Sequence, residues 1–436
     1  MSSLWPSLNT PKAPESDASP GAKRWLVVGL LFSGVLINYV DRANLSIAAV
    51  SIMHELSVST AGMGVALSAF FWTYLIFQVP GGYFVDRTGL KWSYGFAFLI
   101  WTLSSTAIGL VHSLFALILL RMLLGMSEAV AAPGSLAYIK HNFRPEEQGL
   151  PTAVFLSGMM LGPAAGALLG GVVLDRLGWR ALFLLTGVGI LWLWPWLRWA
   201  PRGAYHVHHS ATRNTASEMH PVQVWGKLLS NSSTWGLGVS AVFYGYFWYF
   251  CLTWLPSYLV MSRGFTYTKM GTFMALPLVA MAVSSIVFGR LADRLAWTHT
   301  PLRIRKRFVT AGFVMASSMG LITVAQSSAE VLAILFFSFT AVGLAAANYW
   351  AITELVSPAR LVGRFVGGQN AVAQLGGVSA PIITGLLLGN GHDFRRSICL
   401  AAACLPVSAG VLLLLVRERA VKQLDRLLTA RTCPKG

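Results

Sequence analysis

Charge is scarce in this chain. Of its 436 residues only 11% are Asp, Glu, Lys or Arg, while 55% are hydrophobic; a soluble chain carries roughly 25% charged residues. At less than half that supply a solvated surface cannot be built, so most of the outer surface must face lipid. Alternation at strand period is also missing, which leaves helices to satisfy the backbone in hydrocarbon. Cysteine is sparse. Cys251, Cys399, Cys404 and Cys433 show neither metal nor disulfide spacing, and the first three lie in or beside apolar runs as small hydrophobic residues. His206, His208 and His209 cluster without an acid or Cys framework, so neither a metal nor a cofactor is expected. No nucleophile–base arrangement appears and the tails read as too short for a signalling domain, so neither an enzyme nor a sensor is expected. The net charge is +17, yet the basic residues are scattered over many short loops. A nucleic-acid footprint needs them clustered.

Long apolar runs recur instead, each able to cross ~30 Å of hydrocarbon as a helix. They predict spans near 25–45, 62–83, 92–111, 114–140, 150–174 and 181–199, then near 234–261, 269–292, 308–326, 329–354, 364–389 and 396–416. The expected fold is an all-α membrane protein of twelve transmembrane helices in two pseudo-symmetric six-helix bundles. The N-terminal bundle occupies 25–199 and the C-terminal bundle 234–416, with a polar linker at 200–233. Residues 1–24 read as a disordered Ser/Pro-rich tail and 417–436 as a basic tail. The first run is full length without a small-residue cleavage site, and reads as a retained span. With the N-terminus taken as cytoplasmic, 25 of the 33 Lys and Arg fall on the cytoplasmic side. Six lie opposite (Arg176, Arg180, Arg263, Lys269, Arg395, Arg396), and Arg42 and Arg121 lie inside spans. That asymmetry predicts both termini in the cytoplasm.

An internal repeat supports two similar halves. Gly82-x-x-x-Asp86-Arg87-x-Gly89-x-Lys91 closes the second span, and Gly289-x-x-x-Asp293-Arg294 closes the eighth. The same ending six spans apart is the plan of a transporter built from parallel repeats, with its site between them. On these residues the chain resembles the major facilitator superfamily, whose signature loop joins spans two and three. The resemblance implies a gating role for Gly82, Asp86, Arg87, Gly89, Lys91, Asp293 and Arg294. Asp86 can cap a neighbouring helix end, Arg87 can pair across the interface, and the glycines permit close approach and a tight turn.

A narrower resemblance is to the anion:cation symporter family, which includes bacterial sugar-acid symporters. It is carried by Asn38-Tyr39-x-Asp41-Arg42-x-Asn44, by Arg121-x6-Glu128 and by Gly162-Pro163-x-x-Gly166. Gly178-Trp179-Arg180 with Phe183, Thr253-Trp254-Leu255-Pro256-x-Tyr258-Leu259, and Asn370-x6-Gly377 with Pro381 extend it over nearly the whole chain. It departs at Gln148, where the family usually has Arg, which bears on gating more than on substrate class. The family implies a bacterial inner-membrane protein, and a monomer is expected.

Four charges stand inside otherwise apolar runs: Asp41, Arg42, Arg121 and Glu128. Each costs roughly 2.5–3.5 kcal/mol at mid-bilayer on insertion scales, so each must face protein or a wet cavity. Two structural ion pairs would be the plain alternative, but apolar packing would serve that purpose at lower cost. Arg121 and Glu128, seven apart, share one face of a helix, while Asp41 and Arg42 point about 100° apart. A carboxylate's proton affinity rises with desolvation and falls beside Arg, and alternating access changes both. Asp41 and Glu128 are the natural proton sites. The planar guanidinium of Arg42 is the first choice for a substrate anion, with Arg121 tuning Glu128 or assisting. Tyr39, Tyr74, Gln78, Tyr249, Trp254, Asn370 and Gln374 offer donors and acceptors suited to hydroxyls; Tyr246 and Tyr258 lie nearby in span seven. The expected function is proton-coupled import of a sugar acid (hexonate, hexarate or hexuronate), with protons, a small organic anion and the bilayer as partners. Carriers of aromatic or dicarboxylic acids, and anion exchangers or exporters, are the alternatives.

Overall fold

The computed structural model describes residues 21–144, 147–201, 226, 230–296, 300–357, 362–389 and 393–418, and they contain helices and no strand. In the first half α1 is Gly21–Glu55, α2 Thr60–Thr88 and α3 Leu90–Ile108. The fourth pass combines α4, Leu114–Glu128, with α5, Ala131–Asn142. Then comes α6, Gly149–Thr186, which continues through a 3-10 turn, Gly187–Trp192, into α7, Leu193–Trp199. The second half holds α8 (Ser232–Thr253) with α9 (Leu255–Met261), α10 (Tyr267–Ala296), α11 (Pro301–Ala316), α12 (Ser328–Val356), α13 (Val362–Leu388) and α14 (Arg395–Leu415).

Local chemistry sets the ends. The Ser59, Ser113 and Ser327 hydroxyls accept from the backbone N–H of Gly62, Ala116 and Glu330 at 3.1, 3.3 and 3.2 Å, capping α2, α4 and α12. Gly89, at φ 80°, ends α2 and lets α3 start at once. Gly178, also at φ 80°, breaks α6 into two passes. By length and composition alone eight helices can cross a membrane, one of them the 51-residue stretch Gly149–Trp199. The break at Gly178 and the shorter helices bring the passes to twelve.

The helices outrun the apolar segments that announce them. α1 runs to Glu55 rather than 45, and α11 begins at Pro301, so Arg303, Arg305, Lys306 and Arg307 are already helical. Hydropathy sees only the part a helix immerses, whereas backbone hydrogen bonding carries on into polar sequence. Residues 21–24, 232 and 233, assigned to tail and linker, are likewise helical. Most of both tails and of the linker, with His206, His208, His209 and Cys433, lies outside the described residues.

Twelve passes put the start of α1 and the end of α14 on one face, called here the terminal face. Within the first half α1 packs on α6 and α2 on α4; within the second α12 packs on α10 and α11, and α14 on α8. Between the halves α2 runs along α13 and α6 along α10. Small residues allow those close approaches. A methyl on Gly64 would stand 2.5 Å from the Pro381 carbonyl oxygen, and one on Gly271 would strike that of Ala167. One hydrophobic core joins the halves near the opposite face, through Leu45, Ile52, Met63, Phe250 and Met270, and continues through the second half to Leu302 and Leu412. At the terminal face the first half keeps its own core, built on Tyr94, Phe98, Trp101, Trp192 and Trp196. The halves are therefore joined at one end and parted at the other.

Gly178 tests the break in α6. A side chain at φ 80°, ψ 172° is strained by roughly 1–3 kcal/mol, so Gly178→Val should lower the melting temperature in detergent by a few degrees. An unchanged melting temperature would show that the turn does not need this backbone.

Candidate functional site

Where the halves part, a cavity opens between them. Its first-half wall carries Tyr39 and Arg42 from α1, Leu67, Phe70 and Phe71 from α2, and Arg121 from α4. The second-half wall is α8, through Trp248, Tyr249, Leu252 and Thr253.

Charge is held on the first-half side. Arg42 Nε donates to Glu128 Oε2 at 2.6 Å; the Glu128 side chain is 0% exposed and that of Arg42 15%. The Arg42 guanidinium also lies 4.5, 4.7 and 4.5 Å from the ring centroids of Tyr39, Phe70 and Tyr74, a cation–π box. Arg121 stands 5.1 Å from the same Phe70 ring. Glu128 thus takes its partner from α1 and not from Arg121. Seven residues along one helix is ~10.5 Å, so a shared face brings those two side chains into line without bringing them into contact. Arg121 is buried, and its Nε and Nη1 have no hydrogen-bond partner among the described residues. Asp41 is buried with Oδ2 unpartnered and lies off the cavity wall. Asn38 and Asn44, one turn either side of it, are buried too.

The uncharged candidates divide. Tyr39 and Tyr249 reach the wall. Tyr74 is buried and stacks on Phe70 at 5.3 Å, next to the Arg42 guanidinium. Gln374 stands behind Tyr249 and accepts its hydroxyl proton at 2.8 Å. Gln78 and Asn370 are half-buried and off the wall. Trp254 is a structural residue here: fully buried, its indole N–H donates to the Pro381 carbonyl at 3.0 Å and ties the α8–α9 break to α13. Tyr258 likewise donates to the Ile322 carbonyl at 2.8 Å. Sequence reasoning passed over Phe70, Phe71, Trp248, Leu252 and Thr253. The last three had a signal, since Trp248 with Leu252, and Tyr249 with Thr253, are four apart and share a helix face.

The signature-loop residues are spread. Asp86 and Arg87 are exposed, and Arg87 lies 5.6 Å from the Tyr83 ring of its own helix. Neither reaches across the interface, because the halves are parted on that face. Lys91 is buried and donates to the Leu197 carbonyl, tying α3 to α7. Gly82 sits beside Pro133. Asp293 pairs with Arg305 at 2.6 Å, and Arg294 is exposed. Among the described residues the hydrogen bonds that join the halves all lie toward the opposite face. Ser51 meets the Tyr267 hydroxyl at 2.6 Å, Thr60 donates to the Gly385 carbonyl at 3.0 Å, and Ser68 to that of Val378 at 2.8 Å. Asp175 accepts from the Tyr267 and Thr268 N–H groups at 3.0 and 2.6 Å.

Comparison with known proteins bears on this arrangement. A family model described as the Major Facilitator Superfamily matches residues 31–381. The chain is 29% identical over 430 residues to a D-galactonate transporter of Escherichia coli O6:H1, covering 93% of this chain and 98% of the relative. It is 29% identical over 405 residues to the probable galactarate/D-glucarate transporter GudP of Bacillus subtilis, covering 87% and 89%. Among solved structures, a bacterial homologue of the human lysosomal transporter Spinster superposes with a TM-score of 0.74 at 17% identity, covering 94% of this chain and 98% of that one.

The Arg42–Glu128 pair yields a test. Arg42→Ala leaves a buried carboxylate without its cation, which for a buried pair costs about 3–5 kcal/mol. Adding Glu128→Gln removes the stranded charge and should restore most of the melting temperature. Losses that simply add in the double variant would mean the two side chains do not interact.

Proposed function

The chain belongs to the Major Facilitator Superfamily, and from that premise we propose that it imports an organic anion, a sugar acid of hexonate, hexarate or hexuronate type, together with protons. It is a multi-pass membrane transporter and not an enzyme. The observation that carries the proposal is the Arg42–Glu128 ion pair beside the cavity between the halves. A protein carboxylate occupies the guanidinium that a substrate carboxylate would use. When Glu128 takes a proton its hold on Arg42 weakens, and the planar fork turns to the incoming anion. Proton and anion together leave the site neutral, which lets the halves rock around it. On the far side Glu128 gives up its proton, reclaims Arg42 and displaces the anion.

Asp41, buried off the wall, is the second proton site. Arg121, with N–H groups unpartnered, steadies the anion or its neighbouring acids. The distribution of Lys and Arg makes the terminal face cytoplasmic, so the conformation described is open to the cytoplasm. It corresponds to the step after release, when the Arg42–Glu128 pair has re-formed. A monomer in a bacterial inner membrane, with both termini inside, completes the reading. Galactonate and galactarate/glucarate carriers among the relatives favour a sugar acid. The five rings of Tyr39, Phe70, Phe71, Trp248 and Tyr249 on the walls favour a second reading, an aromatic carboxylate.

Uptake into proteoliposomes with an inward proton gradient tests the proposal. Labelled galactonate, glucarate or glucuronate should accumulate, faster as the outside is made more acidic, and phthalate should not. Asp41→Asn should abolish gradient-driven accumulation while keeping some exchange, and Arg42→Ala should lose binding. Gradient-independent uptake, or near-normal affinity in Arg42→Ala, would overturn the coupling or the binding role respectively.

A further inference from the structure

The face that is shut in this conformation is closed along two seams, and they are built differently. Along α2 and α13 the contacts are neutral. The Thr60 hydroxyl approaches the carbonyls of Gly385 and Gly389 at 3.0 and 2.5 Å, and the Ser68 hydroxyl donates to that of Val378. Along α6 and α10 the contact carries a charge. Asp175 stands one turn before the break at Gly178, and its two oxygens accept from the backbone N–H groups of Tyr267 and Thr268. Those residues open α10, a helix of 30 residues, and the first N–H groups of a helix have no partner inside it. A carboxylate there satisfies two of them and lies at the positive end of the helix dipole. The clasp crosses from one half to the other, and it is reinforced where the Tyr267 hydroxyl meets Ser51 of α1 at 2.6 Å.

We propose that Asp175 is a positioning residue of the transport cycle, a charged clasp on the first turn of α10 that biases the empty carrier toward the form shut on the face opposite its termini. It lies off the cavity wall and apart from the Asp41, Arg42, Arg121 and Glu128 group, so it acts on the halves and not on the substrate. Each opening of that face must break two charge-assisted hydrogen bonds here, against neutral ones at the other seam. The clasp is exposed, so its effect is modest, and it tilts an equilibrium that both conformations must visit. This rests on the alternating-access reading.

Hydrogen–deuterium exchange on the full chain reads the clasp directly. In Asp175→Asn the amides of Tyr267 and Thr268 should exchange faster. Exchange should also rise roughly two- to fivefold at both seams, including residues 60–68 and 378–388, because the whole face opens more often. Faster exchange confined to the first turn of α10 would reduce Asp175 to a local helix cap and overturn the proposal, as would no change. Should the Asn variant misfold, Asp175→Ser, which keeps a hydroxyl acceptor, carries the same test. A disulfide between Asp175→Cys and Thr268→Cys, in a background without Cys251, Cys399, Cys404 and Cys433, separates the proposal from its premise. Oxidation should stop transport and reduction should restore it. Transport that survives the cross-link would defeat alternating access at this face; arrested transport with unchanged exchange in Asp175→Asn would defeat the clasp alone.

Discussion

A lone guanidinium or carboxylate is costly to hold in hydrocarbon, and at Arg42 and Glu128 the fold sets one against the other. Low dielectric strengthens their attraction, but it also makes each ion costly to bring inside. The Arg42–Glu128 pair answers that constraint with partners from separate helices of one half. The contact depends on α1 and α4 keeping their relative positions, which the packing of α1 on α6 and of α3 on both α4 and α6 supplies. It also explains the rings around Arg42: an aromatic face attracts a cation through its quadrupole where water is scarce.

Among the described residues the second half places no ion on the cavity wall. Its wall is α8, with Gln374 of α13 behind Tyr249. Charge sits on one half and the adaptable surface on the other. The two halves can then move against each other without tearing an ion pair apart in the middle of the membrane. The ionic contact that does cross between them is at the rim, where water replaces a lost partner at little cost.

Much of this was legible in the sequence, for identifiable reasons. Hydropathy marks immersed segments, so the passes and the doubled Gly-x-x-x-Asp-Arg ending are legible in residue order. The four buried charges emerged because nothing else in those runs resembles them. Spacing along one helix shows which residues share a face; it does not show which neighbouring helix that face meets. The hydrogen bond from Arg42 of α1 to Glu128 is therefore visible only in the fold. Trp254 has the composition of a ligand-binding residue, and only its hydrogen bond to the Pro381 carbonyl shows that it braces a helix break. Among the described residues Asp86 and Arg87 make no ion pair across the interface, because the halves are parted on their side, and conformation is not written in a motif.

The rings packed about Arg42 have one more effect. Tyr39, Phe70 and Tyr74 crowd the guanidinium and leave its N–H edge as the approach. A spherical halide at that edge meets a point of charge; a flat carboxylate meets two parallel donors at once. With Nε already on Glu128, the box presents an edge whose geometry suits a flat anion better than a spherical one.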